Sequence, residues 1–393
     1  MKVDLVTRQD DLATFAERWD ALALEDPRDG FFRTSRWYLS WMRNIRPDAQ
    51  PFVIVVRDSA GAIVGIAPLC QVSYRDLGFR LRGVSFAGRE VVSGDFLDFV
   101  ATSGTKAVVT SAVLEYLWAR RKQWSLLITG ELLEGSDSYH ALESFGRQNG
   151  LSMRRQEARI CPYIALPGSF DEYLATLGSS TRYHIRRRMR DVEKNGGLIE
   201  IFSRPDEVAG HLDTLIRLHL ARWRADGLPG TLGRPGFAAF LREVCLDLPQ
   251  GAGCRLCVLN HKDQAAAALL TFSFGNSTLY YQAGWDPTSA LASLSPAVVL
   301  MAQSIRDAIA RGSTYYEFLR GDEAYKSRWT KTYRTTATLL IARSFMAREQ
   351  QRVAWLKDRV KRFLPGKQVA EDSPPVQAVS PAEASSTAIL RER

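Results

Sequence analysis

The sequence predicts an α/β protein with mixed sheets, built as two tandem units. Three observations lead to this prediction. A strand, a helix and a second strand follow one another between Leu279 and Leu319. Two short apolar strands around a polar turn occur at Val53–Cys70, and the same pattern returns 202 residues later at Arg255–Phe272. The chain has 393 residues, and its 46% apolar content is sufficient for two ordinary cores.

Both units are predicted to alternate helices and strands. In the first unit, apolar spacing predicts helices at Gln9–Ala23, Ser35–Asn44, Thr105–Arg121 and Ser138–Asn149, and strands at Pro51–Arg57, Ile63–Val72 and Ser125–Thr129. In the second unit it predicts helices from Ser179 or Ser180, at Glu207–Ala225 and at Ala297–Ala310, and strands at Ile160–Leu166, Leu279–Trp285 and Thr314–Leu319. Gly312 ends the third of these helices, and Gly321 breaks the last strand before a further helix predicted to begin at Asp322.

The domain boundaries follow from shifts in composition. We predict a first unit at residues 1–158, in which the repeated pattern is degenerate, and a second, better preserved unit at 159–345. Residues 346–365 are predicted to form a basic amphipathic helix, in which Val353, Leu356, Val360 and Phe363 share one face. Residues 366–393 are rich in Pro, Ser, Ala and Glu, have too little apolar surface to fold, and are predicted to be disordered.

The start of the helix after Trp285 is suited to an anion. Ser295 is a favoured N-cap residue and Pro296 a favoured first helical residue. Amides in the first turn of a helix lack intrahelical partners and lie at the positive end of its dipole. The order strand, loop and helix therefore predicts a phosphate or pyrophosphate site at Ser295, as nucleotide-like cofactors use.

The charge distribution agrees with an anionic ligand. The formal net charge is +9, and all of the excess lies after residue 158, where 32 Lys and Arg face 23 Asp and Glu. A nucleic acid partner is disfavoured, because aromatic residues do not interleave with the basic ones and no nucleic-acid motif is present. Residues 347–364 either pack on the domain or make peripheral contact with an acidic membrane surface or a polysaccharide synthase. The N-terminus carries no apolar signal region, so the expected location is the cytoplasm.

Several short motifs carry a resemblance to a known family. They cover roughly residues 160–343 and are Ser179–Tyr183, Leu218–Trp223, Tyr281–Gly284, Ser295-Pro296 and Gly321–Trp329. The run resembles the second half of a GNAT-type acetyltransferase domain. More narrowly, it is similar to the cellulose and exopolysaccharide biosynthesis (CelD/BcsL-like) branch, itself related to FemAB-type peptidyltransferases. The usual Gly-rich pyrophosphate signature is replaced at Leu291–Ala297 by Ser, Leu and Pro.

The resemblance implies acetyl-CoA or another acyl-CoA as co-substrate, and it assigns roles along the second unit. The residues expected to bind the cofactor are Tyr281, Gln282, Ala283, Gly284, Ser295, Pro296, Ala297, Val298 and Lys326. Tyr325 stands where such enzymes often carry the acid that protonates the departing thiolate, or else it is an aromatic packed beside Trp329. Asp322 and Glu317 are the carboxylates available to activate the acceptor, with Asp322 alternatively a helix N-cap.

Five further residues are candidates for binding the acceptor. Arg182 and Arg186 recur four residues apart on one helical face, which is either a clamp for phosphate or an acidic saccharide or a solvated basic face. His219, Arg222 and Trp223 lie on the helix ending near Ala225, and they either border the acceptor pocket or pack in the core. His211 and His219 have no third ligand in register, so no metal site is predicted.

These observations predict an acyl-CoA-dependent acyltransferase that works by direct attack. The acceptor is expected to be an amine or hydroxyl on a saccharide, a nucleotide-sugar or an exopolysaccharide precursor, and only the family resemblance points to saccharides. Two alternatives remain. One is a FemAB-like ligase that uses aminoacyl-tRNA, and the other is a non-catalytic accessory protein of polysaccharide biosynthesis.

Overall fold

A computed structural model describes residues 1–76, 79–89, 92, 94–156 and 158–343. It contains strands at β1 (Lys2–Val6), β2 (Gln50–Pro51), β3 (Val53–Arg57), β4 (Ile63–Ala67), β5 (Leu69–Asp76), β6 (Phe79–Phe86), β7 (Val100–Ala101), β8 (Leu126–Ile128), β9 (Leu132–Leu133), β10 (Ser152–Arg155), β11 (Arg159–Ala165), β12 (Gly197–Phe202), β13 (Ala252–His261), β14 (Gln264–Phe274), β15 (Ser277–Trp285), β16 (Tyr315–Glu317), β17 (Tyr333–Ala337) and β18 (Leu339–Ala342). The α-helices are α1 (Gln9–Ala13), α2 (Ala16–Leu24), α3 (Ser35–Asn44), α4 (Lys106–Ala119), α5 (Asp137–Gln148), α6 (Phe170–Thr176), α7 (Ser179–Lys194), α8 (Pro205–Ala225), α9 (Phe237–Leu246) and α10 (Pro296–Ala310).

The predicted mixed α/β fold is confirmed. Strands β12 to β16 form one sheet with β11, β17 and β9, in which β15 and β16 are parallel and the other pairs antiparallel. Except for β9, the strands of the first half form a four-stranded and a six-stranded sheet, and β18 belongs to the second of these. The repeated pattern corresponds to two antiparallel hairpins, β3–β4 and β13–β14, and each has a register shift near the end of its first strand.

Helices cover both faces of the eight-stranded sheet. On one face, α8 and α9 share a hydrophobic core with the first half of the chain. On the other face, α6, α7 and α10 enclose a second core around Tyr316 and Met301. The two halves therefore share one continuous core, and the second core belongs to the second half alone.

The two halves also exchange strands. β9 of the first half pairs with β17 at the edge of the eight-stranded sheet. Conversely, β18, at the end of the described chain, lies between β10 and β8 of the first half. The boundary predicted between residues 158 and 159 stays a prediction, with the addition that Leu339–Ala342 complete the sheet of the first half.

The halves differ in the strands that lie beside α4 and α10. In the second half, α10 leads from β15 to β16, and these two strands pair in parallel. In the first half, α4 leads from β7 to β8, but the parallel neighbour of β8 is β6. The hairpin β5–β6 therefore takes the position beside β8 that β15 takes beside β16.

Two local predictions in the second half are wrong. Ser295 precedes α10, but its side chain makes no capping hydrogen bond, because its backbone is left-handed (φ 56°). No helix begins at Asp322, so this residue is not an N-cap. Residues 320–325 form an irregular segment that leads into a single 3₁₀ turn at Lys326–Arg328. Contacts of Lys326 with the preceding loop account for this, as described below.

The predictions for residues 346–365 and 366–393 lie outside the described residues. Within the ranges that are described, no helix is both long and apolar enough to cross a membrane.

Candidate active site

A cleft opens between α7, the sheet and the first turn of α10. The helices line it with Thr181, His184 and Ile185 of α7 and Ala297, Val298 and Met301 of α10. The sheet and the segment after β16 line it with Leu269, Tyr280, Ala283, Tyr325, Arg328 and Trp329. It contains about 520 Å³ of space between atoms, including its open mouth. Since most of these side chains are apolar or aromatic, the few polar groups among them define where chemistry can occur.

Tyr325 is the most distinctive polar group in the cleft. Its side chain is 4% exposed, and its buried hydroxyl lies close enough to interact with Tyr280 but makes no hydrogen bond of ordinary geometry. Its ring packs edge-on against Tyr280, with centroids 6.5 Å apart. Burial raises the pKa of Tyr325 well above its ordinary value, and the neighbouring Tyr280 and Glu323 raise it further. The hydroxyl therefore stays protonated at physiological pH, as a proton donor must, and a buried hydroxyl without a well-formed hydrogen bond is costly unless a ligand supplies one.

The start of α10 borders the cleft through Ala297 and Val298, as predicted. Two of the three amides expected to hold pyrophosphate already donate within the turn. The Ser295 amide donates to the Ala292 carbonyl at 3.4 Å, and the Val298 amide donates to the Ser295 carbonyl at 2.9 Å. The left-handed backbone of Ser295 accounts for the second bond, because it turns that carbonyl toward the helix. Ala297 is thus the predicted residue whose first-turn amide best suits an anion, and Pro296 has no amide hydrogen to offer.

Of the predicted residues on β15, Ala283 lines the cleft and the others do not. Tyr281 packs against Trp37 and Phe272 on the opposite face, and its hydroxyl donates to the Val92 carbonyl at 2.9 Å. Gln282 is buried, and its Oε1 has no hydrogen-bond partner.

Gly284 also lies on that opposite face. A Cβ there would stand 2.1 Å from the backbone nitrogen of His219. The close approach that requires a glycine here is to α8, and cofactor binding by Gly284 stays a prediction.

The two carboxylates expected to activate the acceptor lie away from the cleft. Glu317 is fully buried and ion-paired with Arg28 at 2.8 Å and Arg334 at 3.0 Å. Its neighbour Tyr316 bonds Ser304 of α10, so Glu317 points to the opposite face of the sheet. Asp322 is exposed and does not line the cleft.

Lys326 is also occupied elsewhere. Its side chain is buried, and Nζ donates to the Arg320 carbonyl at 2.7 Å and lies 2.9 Å from a carboxylate oxygen of Glu323. The ammonium of Lys326 is thus held inside the loop and is not presented to a cofactor phosphate, contrary to expectation.

The three candidates on α8 are packed in the interior. His219 is fully buried, with Nδ1 3.1 Å from the Ala283 carbonyl and Nε2 3.4 Å from the Thr231 hydroxyl. Burial lowers the pKa of His219 to about 4, so it is neutral at physiological pH. Arg222 stacks on Trp285 and pairs with Asp226, and Trp223 is 4% exposed. The core interpretation of these residues therefore agrees with the structure, and none of the three lines the cleft.

The arginine pair lies on α7 outside the cleft lining. Arg182 donates to the Ala175 carbonyl at 3.4 Å, and Arg186 forms an exposed ion pair with Asp171 at 2.8 Å. Their neighbours Thr181, His184 and Ile185 face the cleft instead. A role for Arg182 and Arg186 at the mouth of the cleft stays a prediction.

Sequence reasoning missed three polar residues of the cleft: Thr181, His184 and Arg328. His184 directly precedes Ile185, which the apolar spacing placed on the buried side of the helix. Helical spacing therefore also brings His184 near the buried side of α7. It was missed because only apolar residues were used to define that side. Among the described residues, no group of three or more His, Cys, Asp or Glu is arranged to hold a metal ion.

Comparison with known families supports the second half as an acyltransferase domain. Residues 179–327 match the family described as "Acetyltransferase (GNAT) domain". This range contains α7, β15, α10 and Tyr325, which together build the cleft. A search of curated protein sequences finds no significant match.

Solved structures with the same fold span nearly the whole chain. The crystal structure of FemX has a TM-score of 0.58 at 12% identity and covers 86% of this chain and 97% of its own. A conserved protein of unknown function from Bacteroides thetaiotaomicron VPI-5482 has a TM-score of 0.52 at 11% identity, covering 87% and 100%. The C-terminal domain of a putative lysylphosphatidylglycerol synthetase from Agrobacterium fabrum has a TM-score of 0.50 at 11% identity, covering 84% and 94%. The predicted mixed α/β fold class is confirmed, and the match to a GNAT domain lies in the second half.

Proposed function

We propose that this protein is an acyltransferase that transfers an acyl group from a coenzyme A thioester to an amine or hydroxyl by direct attack. The observation that carries the proposal is the buried Tyr325 hydroxyl, without a hydrogen bond of ordinary geometry, in an apolar cleft at the start of α10. A GNAT-type domain supplies the expected chemistry, and the position of Ala297 and Val298 suits an anionic cofactor.

The proposed reaction assigns two proton transfers to this cleft. His184 accepts the proton of the attacking amine or hydroxyl, because imidazole is the side chain best suited to do so near neutral pH and it lines the same cleft as Tyr325. The nucleophile then attacks the thioester carbonyl, and the carbon–sulfur bond breaks. Tyr325 donates its proton to the departing sulfur. Backbone amides of β15 beyond Leu279, where pairing with β16 ends, would stabilise charge on the carbonyl oxygen.

The acceptor we propose is a saccharide, a nucleotide-sugar or an exopolysaccharide precursor. This assignment depends on the motif resemblance to the CelD/BcsL-like branch. The exposed Arg182 and Arg186 beside the cleft would suit an acidic acceptor of this class.

An aminoacyl-tRNA-dependent ligase is the second candidate. The similarity of fold to FemX and the basic excess of the second half favour it. The ligase would use the same cleft with a different acyl carrier. Calorimetry separates the candidates: acetyl-CoA binding supports the acyltransferase, binding of tRNA alone supports the ligase, and binding of neither supports an accessory protein.

Two substitutions test the residues of the cleft. Ala297→Glu places charge and bulk at the start of α10 and should weaken acetyl-CoA binding at least tenfold. Ser293→Glu is the matched control, because it adds the same charge in the preceding turn on an exposed residue outside the cleft lining. Equal affinities of the two folded variants would contradict the cofactor assignment.

Tyr325→Phe keeps the ring and removes only the hydroxyl, so packing is retained. A general-acid role for Tyr325 predicts that this substitution lowers kcat about 10²-fold, in the range typical of general acid catalysis, and leaves the affinity for acetyl-CoA unchanged. A Phe variant with normal kcat, measured where chemistry limits turnover, would remove Tyr325 from the mechanism.

A further inference from the structure

The loop that leads from β16 to Tyr325 has a strained backbone. Leu319 has φ 58°, in the left-handed region that a branched residue rarely adopts, and Gly321 has φ 121°. Glycine adopts a positive φ without strain, but the Leu319 conformation is unfavourable and persists only where surrounding contacts hold it. The contacts that hold this loop therefore decide where Tyr325 lies.

One set of contacts comes from the second half itself. The Phe318 amide donates to the Pro162 carbonyl at 2.9 Å, and the Gly321 amide donates to the Ile160 carbonyl at 2.8 Å, both on β11. From the far end, Lys326 reaches back and donates to the Arg320 carbonyl at 2.7 Å. Lys326 directly follows Tyr325. A displacement of Arg320 would therefore also displace Tyr325, because the Lys326 side chain bonds the Arg320 carbonyl.

A second set of contacts comes from the first half. The Arg320 amide donates to Oδ2 of Asp95 at 2.8 Å, and the Arg320 guanidinium lies 3.5 Å from the other oxygen of Asp95. The same guanidinium lies 3.2 Å from Glu131. The other oxygen of Glu131 accepts from the Thr336 hydroxyl at 2.8 Å, which fixes this carboxylate in place.

Burial makes these contacts specific. Asp95 is fully buried, and its backbone lies next to Phe96, which also has a left-handed φ of 52°. Burial raises the pKa of Asp95 to about 6, with Arg320 acting against the rise. A carboxyl group that is kept in the interior at such a cost, aimed at the backbone and side chain of one residue, is a positioning device rather than a solvated surface charge.

We propose that the first half positions the acid of the second half, with Asp95 and Glu131 holding Arg320 so that the strained loop presents Tyr325 to the cleft. Asp95 and Glu131 are positioning residues and touch no substrate. The catalytic consequence rests on the function proposed above, whereas the effect on the position of Tyr325 does not.

Fluorine NMR of the full chain labelled with 3-fluorotyrosine tests this position directly. The chain has 13 tyrosines, and the Tyr325 resonance is the one missing in Tyr325→Phe. Asp95→Asn should shift or broaden that resonance. Should Asp95→Asn not fold, Glu131→Gln removes only a side-chain contact of Arg320 and should have the same effect in smaller degree. A folded variant of either kind with the Tyr325 resonance unchanged overturns the proposal.

Glu243→Gln is the matched control. Glu243 of α9 also pairs with the first half, through Arg43 of α3, but makes no contact with the loop. It should leave the Tyr325 resonance in place. An equal shift in Glu243→Gln would mean that any loss of contact between the halves disturbs Tyr325, and this too would overturn a specific role for Asp95.

Kinetics supply the second readout. With acetyl-CoA as donor, Asp95→Asn should lower kcat about 10- to 100-fold, as expected for a displaced catalytic group, with KM for acetyl-CoA unchanged. In a Tyr325→Phe background the same substitution should have no further effect, whereas independent structural damage would multiply the two losses. If no acetyl-CoA turnover is found with wild-type protein, the proposed function fails and the NMR result still decides the positioning role.

Discussion

A glycine at position 284 has two explanations, cofactor binding and close packing against α8, and substitution of Gly284 tests which is right. The sequence suggested that a glycine on β15 admits the cofactor, whereas the structure places it against α8. An alanine Cβ would lie 2.1 Å from the His219 nitrogen, 2.5 Å from its Cα and 2.5 Å from the Leu218 carbonyl carbon. Ordinary contact begins at about 3.4 Å, so α8 and β15 would have to separate by about 1.3 Å (3.4 minus 2.1).

The cost of this separation can be estimated. All three atoms belong to the backbone, so no side-chain rotation relieves the contact. Overpacking a core costs about 1–3 kcal/mol when neighbours can move, and a collision with a helix backbone belongs at or above the upper end. We therefore expect Gly284→Ala to lower the free energy of unfolding by about 3 kcal/mol, with a lower denaturant midpoint as the readout.

Gly210→Ala is the matched control on the same helix. A Cβ at Gly210 meets nothing within 4 Å, and the residue is exposed in the interior of α8. Alanine there should raise the free energy of unfolding by about 0.5–1 kcal/mol, because glycine is a poor helix former. If Gly284→Ala is as stable as the wild type but loses acetyl-CoA affinity, the packing explanation is refuted and the cofactor explanation regained.

Two further predictions concern charge. The pKa of His219 is lowered from 6.5 to about 4 by burial, so between these values the unfolded chain binds a proton there that the folded chain does not. The stability gained by keeping His219 neutral is present above pH 6.5 and is lost as pH falls to 4, by about 3 kcal/mol at most. His219→Asn retains a donor for the Ala283 carbonyl and should flatten this pH dependence relative to wild type in urea titrations; a parallel profile would contradict it. Arg328 lines the cleft, whereas Arg182 and Arg186 do not. Arg328→Gln should weaken acetyl-CoA binding about fivefold at low salt, the equivalent of about 1 kcal/mol, while Arg182→Gln combined with Arg186→Gln should change it less than twofold. The reverse order in calorimetry would return the anion contact to the arginine pair.

Local sequence pattern was sufficient to predict α10, β15 and the hairpin β13–β14. The Ser-Pro pair and Gly312 predicted α10 to within one residue, and the observed hairpin β13–β14 contains the predicted one. The short aromatic run at Leu279–Trp285 predicted a buried strand, and the structure confirms burial at every position of β15. These features depend on residues close together in sequence, and this is the range over which propensity and periodicity operate.

Long-range pairing was not accessible in the same way. β18 lies beside β8, some 200 residues earlier, and nothing in the sequence of Leu339–Ala342 specifies that neighbour. The carboxylate of Glu317 looked like a catalytic base because its partners, Arg28 and Arg334, are distant in sequence. The helix expected at Asp322 fails for a related reason, since Lys326 bonds back to the loop. Charged residues in particular cannot be assigned from pattern alone, because a buried ion pair and an active-site charge share the same composition.

The two halves differ in the strands beside β8 and β16 and in where the family match lies, and these differences suggest different roles for them. In the first half, the hairpin β5–β6 lies beside β8, where the second half has β15 beside β16. The family match falls in the second half alone. The first half nevertheless supplies groups that contact the loop of the second half. Asp95 is buried against Arg320, Glu131 pairs with the same guanidinium, and β9 and β18 each join the sheet of the other half. Under the positioning role proposed above, support for the loop that carries Tyr325 is a physical reason for the first half to remain packed against the second.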